Sequence, residues 1–121
     1  PSTPSISHMY ALDYQLDRIM EEGLENRFAR HIEMAVYVRN WAREHFELFP
    51  DEKYASNTLT TIRNTRGISV SDLNKKLGEK GYMISNGYGE LKEKTFRIAH
   101  MADTTPDEIK ELILVIEQIL F

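Results

Sequence analysis

Three features of the 121-residue chain predict an α+β fold of two layers. A helical apolar repeat fills its first third, β-branched alternation marks its second half, and a helix with strong start signals ends it. The expected architecture is a small domain with a three- to four-stranded, mostly antiparallel sheet covered by helices. A long N-terminal helical segment precedes it.

The opening "PSTPSIS" is rich in proline, serine and threonine and reads as an extended segment. From Tyr10 to Phe46, Leu12, Leu16, Ile19, Phe28, Ile32, Ala35, Val38, Ala42 and Phe46 recur mostly at three- and four-residue steps. Gly23 either ends one helix and starts another or kinks a single long one. Pro50 closes this region, with a short strand possible at 47–49. "TLTTIRN" (58–64) alternates and is β-branched, so it is assigned to a strand. Ser69 then caps a short helix, with Asp72 three residues on and a stripe of Val70, Leu73 and Leu77. Gly81 suits the position just past its end. "YMIS" reads as the next strand, "NGYGE" as a hairpin-type turn, and "TFRIAHM" (95–101) as a strand. In the last helix Thr105 caps, Pro106 takes the first position and Glu108 completes a Thr-x-x-Glu box. Ile109, Leu112, Ile113, Ile116, Ile119 and Leu120 give its buried face.

Bulk composition narrows the function. Fifteen basic residues against nineteen acidic ones leave a net charge of -4, which argues against a sequence-independent grip on nucleic acid. No apolar run is long enough to span a bilayer, and a cytoplasmic setting is expected. With no cysteine, thiolate metal sites and a cysteine nucleophile are excluded. His8, His31, His45 and His100 show no ligand spacing, so no metal is expected. "NGYGE" lacks the spacing of a phosphate-binding loop. The seven lysines all lie in polar company, without the apolar or cationic niche that a nucleophilic amine needs.

One residue resists a bland reading. In "TFRIAHM", Phe96, Ile98 and His100 fall on one side of an extended chain, and Arg97 and Ala99 on the other. Arg97 therefore either reaches water from a sheet edge, pairs with a structural carboxylate, or is aimed at the negative charge of a ligand.

The string "GYGELKEKTFRIAHMADTTPDEIKELILVIEQIL", with "TPSISHMYAL" and "EGLENRFARH" in the right order before it, resembles the C-terminal small domain of class V, fold-type I, pyridoxal-phosphate-dependent aminotransferases. The similarity is to the alanine–glyoxylate and serine–pyruvate type. It implies an α+β small domain over residues 23–121, preceded at 1–22 by a connecting segment and helix from an absent large domain. It further implies that Arg97 binds the substrate α-carboxylate and that Thr3 reaches the cofactor phosphate of the neighbouring subunit in a homodimer. The lysine that carries the cofactor would lie upstream, so no catalytic residue is expected within these 121 residues and the fragment alone would be inactive. The implied reaction moves an amino group between a small alanine- or serine-like amino acid and a 2-oxo acid such as glyoxylate or pyruvate. The family more often has glycine where this chain has Ala99 and Ala102, and a methyl at Ala99 either narrows the substrate pocket or reflects a looser neighbour, which leaves the amino-donor preference open. The alternative from another class is a non-catalytic amino-acid-binding or dimerisation module of the same α+β type.

Overall fold

A computed structural model describes residues 2–121; Pro1, the first residue of the expected connecting segment, lies outside them. Four helices and four strands follow in the order α1 (Ile6–Glu22), α2 (Leu24–His45), β1 (Glu47–Leu48), β2 (Leu59–Arg63), α3 (Val70–Glu79), β3 (Ser85–Asn86), β4 (Thr95–Ala99) and α4 (Pro106–Leu120). The fold is α+β, as the pattern predicts. The chain divides within α2 into two compact units, one ending at Arg30 and one running from His31 to Phe121.

The first unit begins in helix sooner than expected. Ser5 stands at the N-cap of α1 in an extended conformation, so the helix takes the last two residues of "PSTPSIS". Gly23 resolves the choice between break and kink in favour of a break. Its φ of 84° and ψ of 136° end α1, while its N–H still bonds Ile19 O at 2.9 Å. Across that break Glu22 accepts from Arg27 at 3.0 Å and Arg30 at 2.6 Å. The Arg30 hydrogen bond, with Arg27 adding to it, holds the Glu22 carboxyl down at about 2. No residue of α1 is buried within the described residues, and Ile6, Met9, Leu12, Leu16 and Met20 are exposed.

The second unit holds the core. The sheet order is β1-β2-β4-β3, with every neighbouring pair antiparallel. Ile62, Phe96 and Ile98 project from the inner strands into a cluster with Met34, Val38 and Trp41 of α2, the Val70–Leu73–Leu77 stripe of α3, and Ile109, Leu112, Ile113 and Ile116 of α4. Phe46 meets Phe96 edge to face at 5.2 Å between ring centroids. The apolar repeat of α2 splits in two. Ala35, Val38 and Ala42 are buried, whereas Phe28 and Ile32, nearer the start of the helix, are exposed. A 3.6-residue period shows that a stripe exists, but how much of its length is covered is decided in three dimensions.

Local signals at α3 and α4 hold in detail. Thr105 and Glu108 form a reciprocal capping box with Pro106 at the first position. Ser69 Oγ accepts from Asp72 N at 3.2 Å. "YMIS" is shorter as a strand than expected, since only Ser85 and the following Asn86 pair with β4. Ala102 has a φ of 58°, which is why glycine suits that position. Ala99 is extended within β4 and has no such need.

His100 is fully buried at the end of β4. Its Nε2 lies 2.8 Å from Thr60 Oγ1 and its Nδ1 3.1 Å from Asn57 O. Nδ1 must donate to that carbonyl, which leaves Nε2 to accept from the hydroxyl in a neutral ring. Burial pushes its pKa below the ordinary histidine value of 6.5. Below that pH the unfolded chain therefore takes up a proton that the folded chain refuses, and stability falls as the pH falls. We expect a lower urea midpoint at pH 5 than at pH 7, with the difference reduced in His100→Gln. An equal pH dependence in both proteins would remove His100 from this account.

Candidate functional site

Arg97 does not lie on a sheet edge. Its strand β4 is interior, pairing with β2 through Thr61↔Arg97 and with β3 through Ser85↔Arg97. Strand alternation sends Phe96 and Ile98 into the core and Arg97 to the other face, where it is half-buried. Among the described residues no carboxylate forms an ion pair with it. The edge and structural-carboxylate readings both fail.

Two contacts seat the guanidinium. Nη2 donates to Asn86 O at 3.0 Å, and the group lies over the Tyr88 ring, 4.6 Å from its centroid. Nε is buried and has no hydrogen-bond partner. Arg39 is the other residue with a buried, unpartnered Nε, but its Nη2 is shared among Ala55 O, Ser56 O and Asn57 Oδ1. Arg97 has one such acceptor. An unmet N–H in a half-buried guanidinium costs about 1–3 kcal/mol, and a carboxylate is the acceptor whose shape matches a guanidinium through two parallel hydrogen bonds.

Both contacts come from the "NGYGE" segment, which starts at Asn86, the last residue of β3, and continues as the loop to β4. It is a wide hairpin connection with a 3-10 turn at Gly89–Leu91. Asn86 and Glu93 brace it, and neither drew notice in the sequence. Asn86 Oδ1 accepts from Gly87 N and Glu93 N, each at 2.8 Å, while Asn86 Nδ2 donates to Glu93 Oε1 at 2.8 Å. The Glu93 carboxylate also accepts Val70 N at 2.6 Å, Ser71 N at 3.1 Å and the Ser71 hydroxyl. It thus serves the first amides of α3, where a negative charge is favoured. The Ser71 hydrogen bond, followed by those from Asn86 and the two amides, outweighs desolvation and keeps the Glu93 carboxyl below the usual range. Asn64 Nδ2 ties Glu93 O to the end of β2 at 2.8 Å.

Thr3 is exposed in the extended residues before α1. It belongs to the first unit and Arg97 to the second. All seven lysines are exposed.

The chain's homologues are class V aminotransferases. It is 34% identical to an uncharacterized aminotransferase of Methanocaldococcus jannaschii, over 97% of this chain and 31% of that protein. It is 32% identical to the serine–glyoxylate aminotransferase of Arabidopsis thaliana, over 99% and 31%. The crystal structure of an alanine–glyoxylate aminotransferase from a Nostoc species superimposes with a TM-score of 0.87 at 28% identity, covering 99% of this chain and 33% of that one. No protein-family model matches. The chain spans about a third of the length of the curated relatives it matches.

Gly87 leaves no room for a side chain, because an added Cβ would stand 2.1 Å from Leu91 O and 2.6 Å from Thr95 Oγ1. Gly87→Ala should therefore displace the loop and destabilise the domain by about 3 kcal/mol, in the range of overpacking. A denaturant midpoint equal to the parent's would show that the loop yields freely.

Proposed function

We propose that this chain supplies the substrate-carboxylate site of a pyridoxal-phosphate-dependent transaminase. That enzyme would move an amino group between a small alanine- or serine-like amino acid and a 2-oxo acid such as glyoxylate or pyruvate. The observation that carries this reading is Arg97 itself: an interior-strand cation that has no acidic partner among the described residues and keeps its Nε–H without an acceptor. The homology to aminotransferases supports it.

Arg97 would grip the α-carboxylate, the group common to amino acid and oxo acid, and so serve both halves of the exchange. Its charge is permanent, so binding needs no proton transfer, and its planar fork fixes the carboxylate plane. Orientation is this domain's share of the rate, because the bond at Cα that must break is aligned only when the acid end is held. The methyl of Ala99, on the same face of β4, would limit the size of the substrate. Pyridoxal phosphate, when bound, supplies an electron sink for the carbon that loses its proton. Thr3 offers an exposed hydroxyl to a phosphate oxygen, and in the proposed homodimer that phosphate belongs to the neighbouring subunit. All seven lysines are exposed, outside any enclosed apolar niche of the kind a nucleophilic amine needs. In this reading the cofactor-bearing lysine comes from the remainder of the enzyme, and the setting is cytoplasmic.

Replacing Arg97 by Ala in the full-length enzyme should raise KM for the amino acid about 100-fold, since two charge-assisted hydrogen bonds are worth about 3 kcal/mol. Cofactor absorbance should persist. Arg97→Lys should recover only part of the loss, because a point charge lacks the fork. An unchanged KM in Arg97→Ala would overturn the assignment.

A further inference from the structure

We propose that Glu93 is a positioning residue for Arg97, acting through Asn86 to hold the fork at the angle a substrate carboxylate meets. The inference rests on the reading of Arg97 given above and goes beyond it.

Among the described residues, the one hydrogen bond that fixes the guanidinium is that to Asn86 O. That carbonyl ends β3, a two-residue edge strand followed at once by glycine. Two ladder residues on an edge are weak support for an acceptor that must stay within tenths of an ångström. The side chain of Asn86 supplies what the strand lacks: its amide is held from both ends by Glu93, through the backbone N–H and through the carboxylate. Glu93 is in turn fastened to a rigid element, the N-terminus of α3, by three donors. A continuous line of hydrogen bonds therefore runs from the helix through Glu93 and Asn86 to Nη2 of Arg97. Tyr88, over the guanidinium face, sits in the loop that this line closes.

The backbone of Glu93 argues that the side chain is there for a reason. Its φ is 64°, the left-handed region where a residue other than glycine costs about 1–2 kcal/mol. A position that only had to turn the chain would be best served by glycine. Glutamate here opposes the turn preference and gains the carboxylate contacts in return. Glu93 does more than cap: Ser69 takes Asp72 N, while the one Glu93 carboxylate takes Val70 N and Ser71 N and also the side-chain amide of Asn86.

The test measures KM, kcat and the inhibition constant of propanoate in the full-length enzyme. Propanoate has no amino group and so reports on the carboxylate grip alone. Glu93→Gly relaxes the backbone and removes the carboxylate, while Glu93→Gln keeps the shape and removes the charge. Either should raise KM and the propanoate constant about tenfold, equivalent to about 1.4 kcal/mol, with a smaller change in kcat. In an Arg97→Ala background the same substitutions should add nothing, because their effect is transmitted through the missing fork. If Arg97→Ala weakens propanoate and both Glu93 variants bind it like the parent, Glu93 is a helix cap only and the inference is overturned. An equal loss with and without Arg97 overturns it too, as it would mark general damage to the fold. Should Arg97→Ala itself leave KM and the propanoate constant unchanged, the reading of Arg97 falls and this inference with it.

Discussion

A cation set on an interior strand can be tolerated in three ways: by a nearby carboxylate, by water reached along its own stem, or by neutral acceptors that leave part of its hydrogen-bonding capacity in reserve. Arg97 follows the third. One backbone carbonyl and one aromatic face hold it, and both are uncharged, so its field is not cancelled. A buried internal partner would have made the position stable and inert. In the proposed reading the arrangement gives up some stability to keep a positive fork for a ligand, and the rest of the second unit is the frame that would hold it. Interior pairing on both sides fixes the Cα of Arg97, the Phe96–Ile98 face anchors β4 in the core, and the β3–β4 loop sets the far end of the side chain.

That loop solves a difficult problem with few residues. It must bring a carbonyl and an aromatic ring against one guanidinium while crossing from an edge strand to an interior one. Gly87 permits the close pass over Leu91 O and Thr95, and Gly89, at a φ of 53°, starts the 3-10 turn. Glu93 closes the loop and joins it to α3. Two asparagines provide the remaining ties, since a primary amide both donates and accepts and can link two backbone segments at once. Asn64 does this between β2, Ile68 and Glu93, and Asn86 does it between the loop's two ends.

Local chemistry was readable in the sequence and distant chemistry was not. The Thr105–Glu108 box, the Val70–Leu73–Leu77 stripe and the alternation around Arg97 depend on spacings of two to four residues, and the structure reproduces each. Ser5 before Ile6 was a valid helix start that the surrounding prolines and serines obscured. The Glu93 contacts with α3 escaped because they join residues more than twenty positions apart, and a glutamate carries no mark of a left-handed backbone. Exposure of Phe28 and Ile32 escaped for a related reason: periodicity identifies a stripe, and how much of its length is covered belongs to the packing.

The same distinction separates recognition from positioning in the site. Arg97 stands out in one dimension because a charge interrupts an apolar strand, and its residue type already names the ligand chemistry it suits. The groups that aim it are ordinary in type: an asparagine carbonyl, a tyrosine ring and a glutamate at the head of a helix. Their significance lies wholly in where the fold places them. A fork that is free to swing would still attract a carboxylate, but it would not orient one, and orientation is what a reaction at the adjacent carbon requires. If Arg97 holds a carboxylate as proposed, the bracing from α3 to Asn86 would bear on function as directly as the charge does, through orientation and not through contact.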